Sequence, residues 1–279
     1  MPINHTILGL YFIVLLLGGI TCLALDIKNS RQKRLFGIEP WSISTLEFFT
    51  FFVGIFAVQM LAAETIRQVF DSVYGDDLPW IYKVAAMTFA MYAGALVLYA
   101  FLRRLKPFQL TLSPQKINTF TALGKGVFYY LSAFPLVLAS SLIWQGILGR
   151  LVEAGYLEEP GLQELVEQMA QLQGLDQWLL MGLLAVVGAP LIEELIYRGL
   201  LYRYLKSQIR PALAMALSAA LFSAIHANLL QAVPLFVLGI LLTRSYDRTG
   251  NLLVPIFFHA CFNASTFLTL AIAPELVTE

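Results

Sequence analysis

Charged residues and cysteines are scarce in this sequence. Only 13% of its 279 residues are Asp, Glu, Lys or Arg, and 58% are hydrophobic, whereas a soluble globular domain has roughly 25% charged residues. The deficit excludes an ordinary soluble domain. Basic and acidic residues balance at 18 each, so no overall basic field argues for nucleic-acid binding. The two cysteines, Cys22 and Cys261, lie far apart in apolar stretches and indicate small buried side chains rather than a disulfide or a metal pair.

Long apolar runs are what the sequence has instead. By the criterion of about 20 apolar residues for each membrane-spanning helix, we find about eight candidate segments. These are 7–25, 46–63, 84–102, 127–148, 178–204, 212–230, 232–246 and 252–272. A transmembrane barrel would show short alternating segments instead. We therefore predict an all-α fold, a polytopic transmembrane helical bundle forming a single membrane domain over residues 1–279.

Basic residues alternate between the loops that join these segments. Of the 18 Lys and Arg residues, 15 fall in one set of alternate loops and 3 in the other. Loops rich in Lys and Arg face the cytoplasm. The chain is thus expected to be a multi-pass integral membrane protein, of the cell or inner membrane if it is prokaryotic, with both termini on the non-cytoplasmic side.

Two adjacent carboxylates, Glu193 and Glu194, lie within the apolar segment 178–204. Ionisable groups at membrane depth are costly to bury and by default indicate a functional site. Two of the three histidines, His226 and His259, fall in the segments that follow. We expect these groups to meet inside the bundle as a hydrolytic site, with residues 178–272 as its core and residues 1–148 as additional membrane helices.

The spacing along the fifth segment gives the two carboxylates different surroundings. Glu194 and Arg198 are four residues apart, so they lie on one helix face and can pair. Glu193 lies roughly 140° around the axis from Arg198, at 3.6 residues per turn. Because Glu194 has a cation beside it, it should stay ionised as a supporting residue. Glu193 lacks that partner and is the candidate general base.

The two histidines each have a partner four residues away. Phe222 precedes His226, and Asn263 follows His259, so each pair shares a helix face. A water held between Glu193 and His226 would lose its proton to the carboxylate. His259 and Asn263 could donate hydrogen bonds to the oxygen that becomes negative when the water attacks a carbonyl, and such donors contribute about 3–4 kcal/mol each.

Other interpretations of the same residues remain open. The Glu–Arg pair and the buried His and Asn could simply join helices. Two Glu and two His could bind zinc, although the sequence contains no His-Glu-x-x-His, Glu-x-x-His or cysteine cluster. We therefore expect no cofactor and keep zinc as the lesser possibility. A proton-coupled transporter, in which Glu193 and His226 relay protons, is a further alternative.

Three spaced motifs together resemble the CPBP intramembrane proteases, which include the CAAX prenyl proteases and bacterial bacteriocin-processing or self-immunity proteins. The motifs are Glu193-Glu194-x-x-x-Arg198, Phe222-x-x-x-His226 and His259-x-x-x-Asn263. The resemblance covers roughly residues 178–267.

The resemblance implies a glutamate-type intramembrane endopeptidase that cuts a membrane-associated peptide or protein. It implies that Glu193 and His226 activate water, and that His259 and Asn263 form the oxyanion hole. The CAAX branch removes the last three residues after a prenylated cysteine. A non-catalytic immunity or scaffold protein on the same fold is the remaining alternative.

The predicted topology sets His226 and His259 at different depths. His226 would lie near the outer end of its segment, and His259 lies only seven residues from the inner end of its own. In straight helices these depths differ by roughly 10 Å. A shared site therefore requires helix tilt, a kink at Pro255 or a different helix boundary.

Overall fold

The computed structural model describes residues 5–30, 37–41, 43–75, 79–105, 116–161, 172 and 174–272. Within these ranges the chain forms helices and no strand, which confirms the all-α prediction. The helices are α1 His5–Ser30, α2 Thr45–Tyr74, α3 Trp80–Leu105, α4 Thr119–Glu153, α5 Leu175–Gln208, α6 Pro211–Ile225, α7 Ala232–Thr249 and α8 Leu253–Ile272.

Six of the described helices are long and apolar enough to cross a membrane, namely α1 to α5 and α8. Leucine, isoleucine, valine and phenylalanine side chains cover much of their outer surfaces. Such surfaces are stable only against lipid or another apolar partner. The chain is thus an integral multi-pass membrane protein.

The sixth and seventh expected segments differ from membrane-spanning helices. Helix α6 has only 15 residues, or about 22 Å at 1.5 Å per residue, whereas the hydrocarbon core is about 30 Å thick. Helix α7 carries Arg244, Asp247 and Arg248 in its last turns. Helix α6 stops at Ile225, so His226 follows its last residue, whereas the sequence predicted a segment that continues to residue 230. The depth of His226 in the membrane stays a prediction.

Helix α5 is not a regular α-helix. It contains two π-helical stretches, Leu184–Gly188 and Leu195–Tyr202. Pro190 follows the first stretch, and a proline ring clashes with the carbonyl four residues before it, which widens the turn. In the second stretch, Ser218 Oγ of α6 donates a hydrogen bond to Tyr197 O at 3.1 Å. A side chain that binds a helix carbonyl in this way is a known cause of irregular turns.

Buried ion pairs hold α7 against its neighbours. Asp26 of α1 forms an ion pair with Arg244, with Nη1 2.6 Å from Oδ2, and accepts a hydrogen bond from Arg248 Nη1 at 2.8 Å. Asp247 accepts from Lys206 of α5 at 3.1 Å. These contacts attach α7 both to α1, which carries none of the three motifs, and to α5.

The segment 37–41, between α1 and α2, packs on the same end of α5. Trp41 N–H donates to Arg203 O at 2.9 Å, and Arg203 Nε donates to Glu39 O at 3.0 Å. Ile38 is 2% exposed and its carbonyl accepts from Lys206 Nζ at 2.6 Å. The inner end of α5, as defined by the predicted topology, is thereby covered by a peptide segment that binds it through main-chain hydrogen bonds.

Candidate active site

The centre of the site is an ion pair on α5 between Glu194 and Arg198. Both side chains are fully buried, and Arg198 Nη1 lies 2.6 Å from Glu194 Oε1. Arg198 also donates from Nη2 to Gly239 O at 3.2 Å and from Nε to Thr243 Oγ1 at 3.4 Å. One guanidinium therefore joins the carboxylate to two acceptors on α7, and the spacing-based pairing of Glu194 with Arg198 is present in the structure.

Close backbone packing makes the α7 acceptors reachable. A Cβ at Gly239 would lie 2.9 Å from Ala219 Cβ and 3.0 Å from Ala219 Cα on α6. Only glycine fits at that distance, because a side-chain carbon would push the two helices apart. The same glycine offers its carbonyl to Arg198. Sequence reasoning did not single out Gly239 and Thr243, since neither is titratable and their partner lies far away along the chain.

Phe222 of α6 connects the guanidinium to both histidines. Its ring is fully buried, with Arg198 Cζ 4.5 Å from the ring centroid. The rings of His226 and His259 meet it edge-on, with centroids 4.9 Å and 5.7 Å away. A cation over an aromatic face is stabilised by the ring's negative potential. Phe222 thus brings α5, α6 and α8 together, and the expected depth gap between the histidines is bridged by a single ring.

His259 lies between the two carboxylates. Its Nδ1 is 2.9 Å from Glu194 Oε1, and its Nε2 is 3.9 Å from Glu193 Oε2. Because the ionised Glu194 can only accept, the hydrogen on that contact belongs to Nδ1. The other ring nitrogen then faces Glu193. Glu194 therefore orients His259 as well as Arg198, a second role that helix spacing alone did not reveal.

Glu193 differs from Glu194 in both exposure and partners. Its side chain is 25% exposed, against 0% for Glu194. Its Oε2 atom is buried and forms no hydrogen bond within the described part of the chain. A buried carboxylate oxygen without a donor is costly unless another polar group binds it. Glu194 Oε2 is also without a hydrogen bond in the described part of the chain, but that side chain has no exposed surface, so Glu193 is the carboxylate that a water or a substrate can reach.

His226 follows the last residue of α6. Its Nδ1 lies 2.7 Å from Phe222 O, and because a carbonyl only accepts, the hydrogen lies on Nδ1 and leaves Nε2 with a free lone pair. Ala227, the next residue, has φ +46°, a left-handed conformation that ends the helix here. Among the described residues, no hydrogen bond or ion pair joins His226 directly to Glu193, so their joint action on one water stays a prediction.

Asn263 contacts the first π-helical stretch of α5. Its Nδ2 donates to Ala185 O at 2.8 Å. An amide nitrogen carries two hydrogens, so this contact uses one and leaves one for a further acceptor. The contact with Ala185 could not be predicted from the sequence, because the acceptor is a main-chain group.

The candidate metal ligands do not form a metal-binding cluster. In the part of the chain that the structure describes, no three His, Cys, Asp or Glu side chains are grouped to hold an ion. Glu194 Oε1 is bound by Arg198 and His259. A zinc site would need Glu193, His226 and His259 on one centre, and the described residues do not group these three side chains in that way.

Comparison with known protein families identifies this region. Residues 175–265 match the family model described as "Type II CAAX prenyl endopeptidase Rce1-like". The matched range contains all three motifs and extends from the start of α5 into α8. The match confirms the resemblance over this part of the chain, which is similar to the CAAX prenyl endopeptidases among the intramembrane proteases. No curated protein and no solved structure matches the chain.

Replacing Arg198 with lysine should destabilise the fold. A single ammonium cannot reach Glu194, Gly239 and Thr243 together, so buried acceptors lose their donor. We expect Arg198→Lys to lower the free energy of unfolding by about 2–4 kcal/mol, as measured by unfolding in mixed detergent micelles. Arg150→Lys, at an exposed site near the end of α4, is the control and should change nothing. Equal stability of the two variants would contradict the central role of Arg198.

Proposed function

We propose that this chain is an intramembrane endopeptidase that hydrolyses a peptide bond with water activated by Glu193 and His226. The observation that supports it best is the placement of His259 between two carboxylates, a fully buried Glu194 and a partly exposed Glu193. The family match supports the reaction class. Carboxylates within an apolar span are costly, and the partly exposed one can receive a water.

In the proposed reaction, Glu193 takes a proton from water while the water oxygen attacks the carbonyl carbon of the scissile peptide. His226 Nε2 has a free lone pair and accepts a hydrogen bond from the same water. The tetrahedral intermediate carries a negative oxygen. When it collapses, the C–N bond breaks and the proton held by Glu193 passes to the leaving nitrogen. No atom beyond water and substrate is consumed.

His259 can stabilise the negative oxygen only when Nε2 carries a proton. Glu194 holds the ring in place for that role, because its Oε1 atom accepts from Nδ1–H at 2.9 Å and leaves Nε2 on the side of Glu193. Asn263 supplies a second donor through its remaining N–H. Each donor of this kind is worth about 3–4 kcal/mol in the transition state.

The proposed substrate is a membrane-associated peptide or protein tail, and the family match favours a prenylated CAAX-type terminus. The bilayer itself is the second partner, since the described spans are covered with apolar side chains. A panel of peptides with and without a farnesyl or geranylgeranyl cysteine tests this. Preference for non-lipidated peptides would reject the prenylated substrate.

Glu193→Gln and His226→Ala should each lower kcat at least about 100-fold, because the first removes the base that takes the proton of water and the second removes the acceptor that positions the water. The measurement is cleavage of a lipidated peptide by purified protein, with thermal unfolding to confirm the fold. Glu64→Gln, in the exposed ion pair with Arg67 on α2, is the matched control and should cleave at the normal rate. Normal cleavage by Glu193→Gln would remove this residue from the mechanism.

We further propose that the reaction needs no metal ion. The basis is the lack of a His-Glu-x-x-His, Glu-x-x-His or cysteine-cluster motif in the sequence, together with side-chain positions in the described ranges that group no three His, Cys, Asp or Glu residues around one ion. Cleavage should then continue at an unchanged rate after incubation with EDTA and 1,10-phenanthroline, and the purified protein should contain no stoichiometric zinc. Loss of cleavage that added zinc restores would overturn the proposal.

The asymmetry of basic residues leads us to propose that both chain ends lie outside the cytoplasm. In protein with Cys22 and Cys261 replaced by alanine, Ile3→Cys and Thr278→Cys should react with a membrane-impermeant maleimide in intact cells. Arg210→Cys, after the inner end of α5, should react only once the membrane is opened. The reverse pattern would invert the topology.

A further inference from the structure

The hydrogen bond between Asn263 and Ala185 raises the question of why a helix carbonyl is free to accept it. Inside a regular helix each carbonyl is bound by the N–H four residues later. Ala185 lies in the first π-helical stretch of α5, Leu184–Gly188. Its carbonyl nonetheless accepts from Asn263 Nδ2 on α8 at 2.8 Å.

The helix donors near Ala185 account for this. The N–H of Ala189, four residues on, donates instead to Leu184 O, five residues back. The next residue is Pro190, which has no N–H. Both helix donors that could have bound the Ala185 carbonyl are therefore missing. The N–H of Ala189 is used by Leu184 in the wide turn, and Pro190 has no N–H. Its acceptor capacity is left for a side chain from another helix.

The same bond orients the Asn263 amide. Because a carbonyl only accepts, the group facing Ala185 must be the NH₂ and not the oxygen. One hydrogen is held by α5, and the position of the second is fixed with it, since the amide is planar. An oxyanion donor is effective only when its position is set before the reaction.

We infer that Pro190 is a positioning residue for Asn263. Because Pro190 has no N–H to donate within α5, the Ala185 carbonyl stays available to hold the Asn263 amide in its donor orientation. This inference rests on the proposed oxyanion role of Asn263. Pro190 itself touches no reacting atom, and its effect is carried by the missing hydrogen bond donor.

Pro190→Ala tests it, because alanine restores an N–H within reach of the Ala185 carbonyl. We expect kcat for the lipidated peptide to fall about 10- to 100-fold, with KM nearly unchanged. The unfolding temperature should stay equal or rise, since the helix gains a hydrogen bond and loses a proline. Pro135→Ala, at the proline inside α4, is the matched control and should leave kcat unaltered. Wild-type kcat in Pro190→Ala would overturn the inference.

The double variant separates positioning from general damage. In the Asn263→Ala background, Pro190→Ala should cause no further loss of kcat, because the amide that it misplaces is gone. An equal loss in both backgrounds would overturn the inference.

A thermal measurement on the same four proteins needs no substrate. Asn263→Ala should lower the unfolding temperature in the wild-type background by more than in the Pro190→Ala background, where the Ala185 carbonyl already has a helix donor. Equal lowering would overturn the inference. Absence of peptide cleavage by the wild type would count against the proposed function, and the thermal comparison would still decide the link between Pro190 and Asn263.

Discussion

The Arg198 guanidinium is the group on which the rest of the site depends. Burying an ion pair costs several kcal/mol for each ion unless further hydrogen bonds satisfy it. Here the cation has three acceptors, on α5 and α7, and an aromatic ring beneath it. Its partner Glu194 in turn accepts from His259. Removing any one of these contacts leaves a buried polar atom unsatisfied, so the four helices α5 to α8 are held in a single arrangement.

Around that centre, the irregular turns of α5 place groups where a regular helix could not. π-helical turns are rare and often mark functional sites. The first one exposes the Ala185 carbonyl to α8, and the second follows Glu194 and contains Arg198, which contacts α7. The ion pairs of Asp26 and Asp247 then attach α7 to α1 and to α5. Helix α1, outside the family-matched region, therefore contributes to the position of the acceptors that hold Arg198.

Sequence spacing predicted the local contacts of the site well. The Glu194–Arg198 pair and the Phe222–His226 contact both follow from residues four apart on one helix face. Contacts between distant parts of the chain were not predictable in the same way. Nothing in the spacing links His259 to Glu194. The end of α6 at Ile225 was not predictable either, because it depends on the backbone conformation of Ala227, which lies in an apolar stretch that predicts a longer helix.

The acceptors for Arg198 and Asn263 were also beyond sequence reasoning, for a physical reason. They are mostly main-chain carbonyls, which every residue has, and only the fold decides which of them is free. Pro190 is the residue in the sequence that indicates one such free carbonyl, that of Ala185. The described ranges contain about the predicted number of helices, of which six are long and apolar enough to cross a membrane. Apolar composition does not show where a helix ends, so it did not distinguish the 15-residue α6 from a full span.

The central claim is that water, activated at Glu193, is added across a peptide bond. Cleavage of a lipidated peptide in H₂¹⁸O, followed by mass spectrometry, tests it most directly. The account predicts one ¹⁸O atom in the newly formed carboxylate with the wild-type protein, and no product above background with Glu193→Gln. Product formed without ¹⁸O, or labelled product formed equally well by Glu193→Gln, would contradict it.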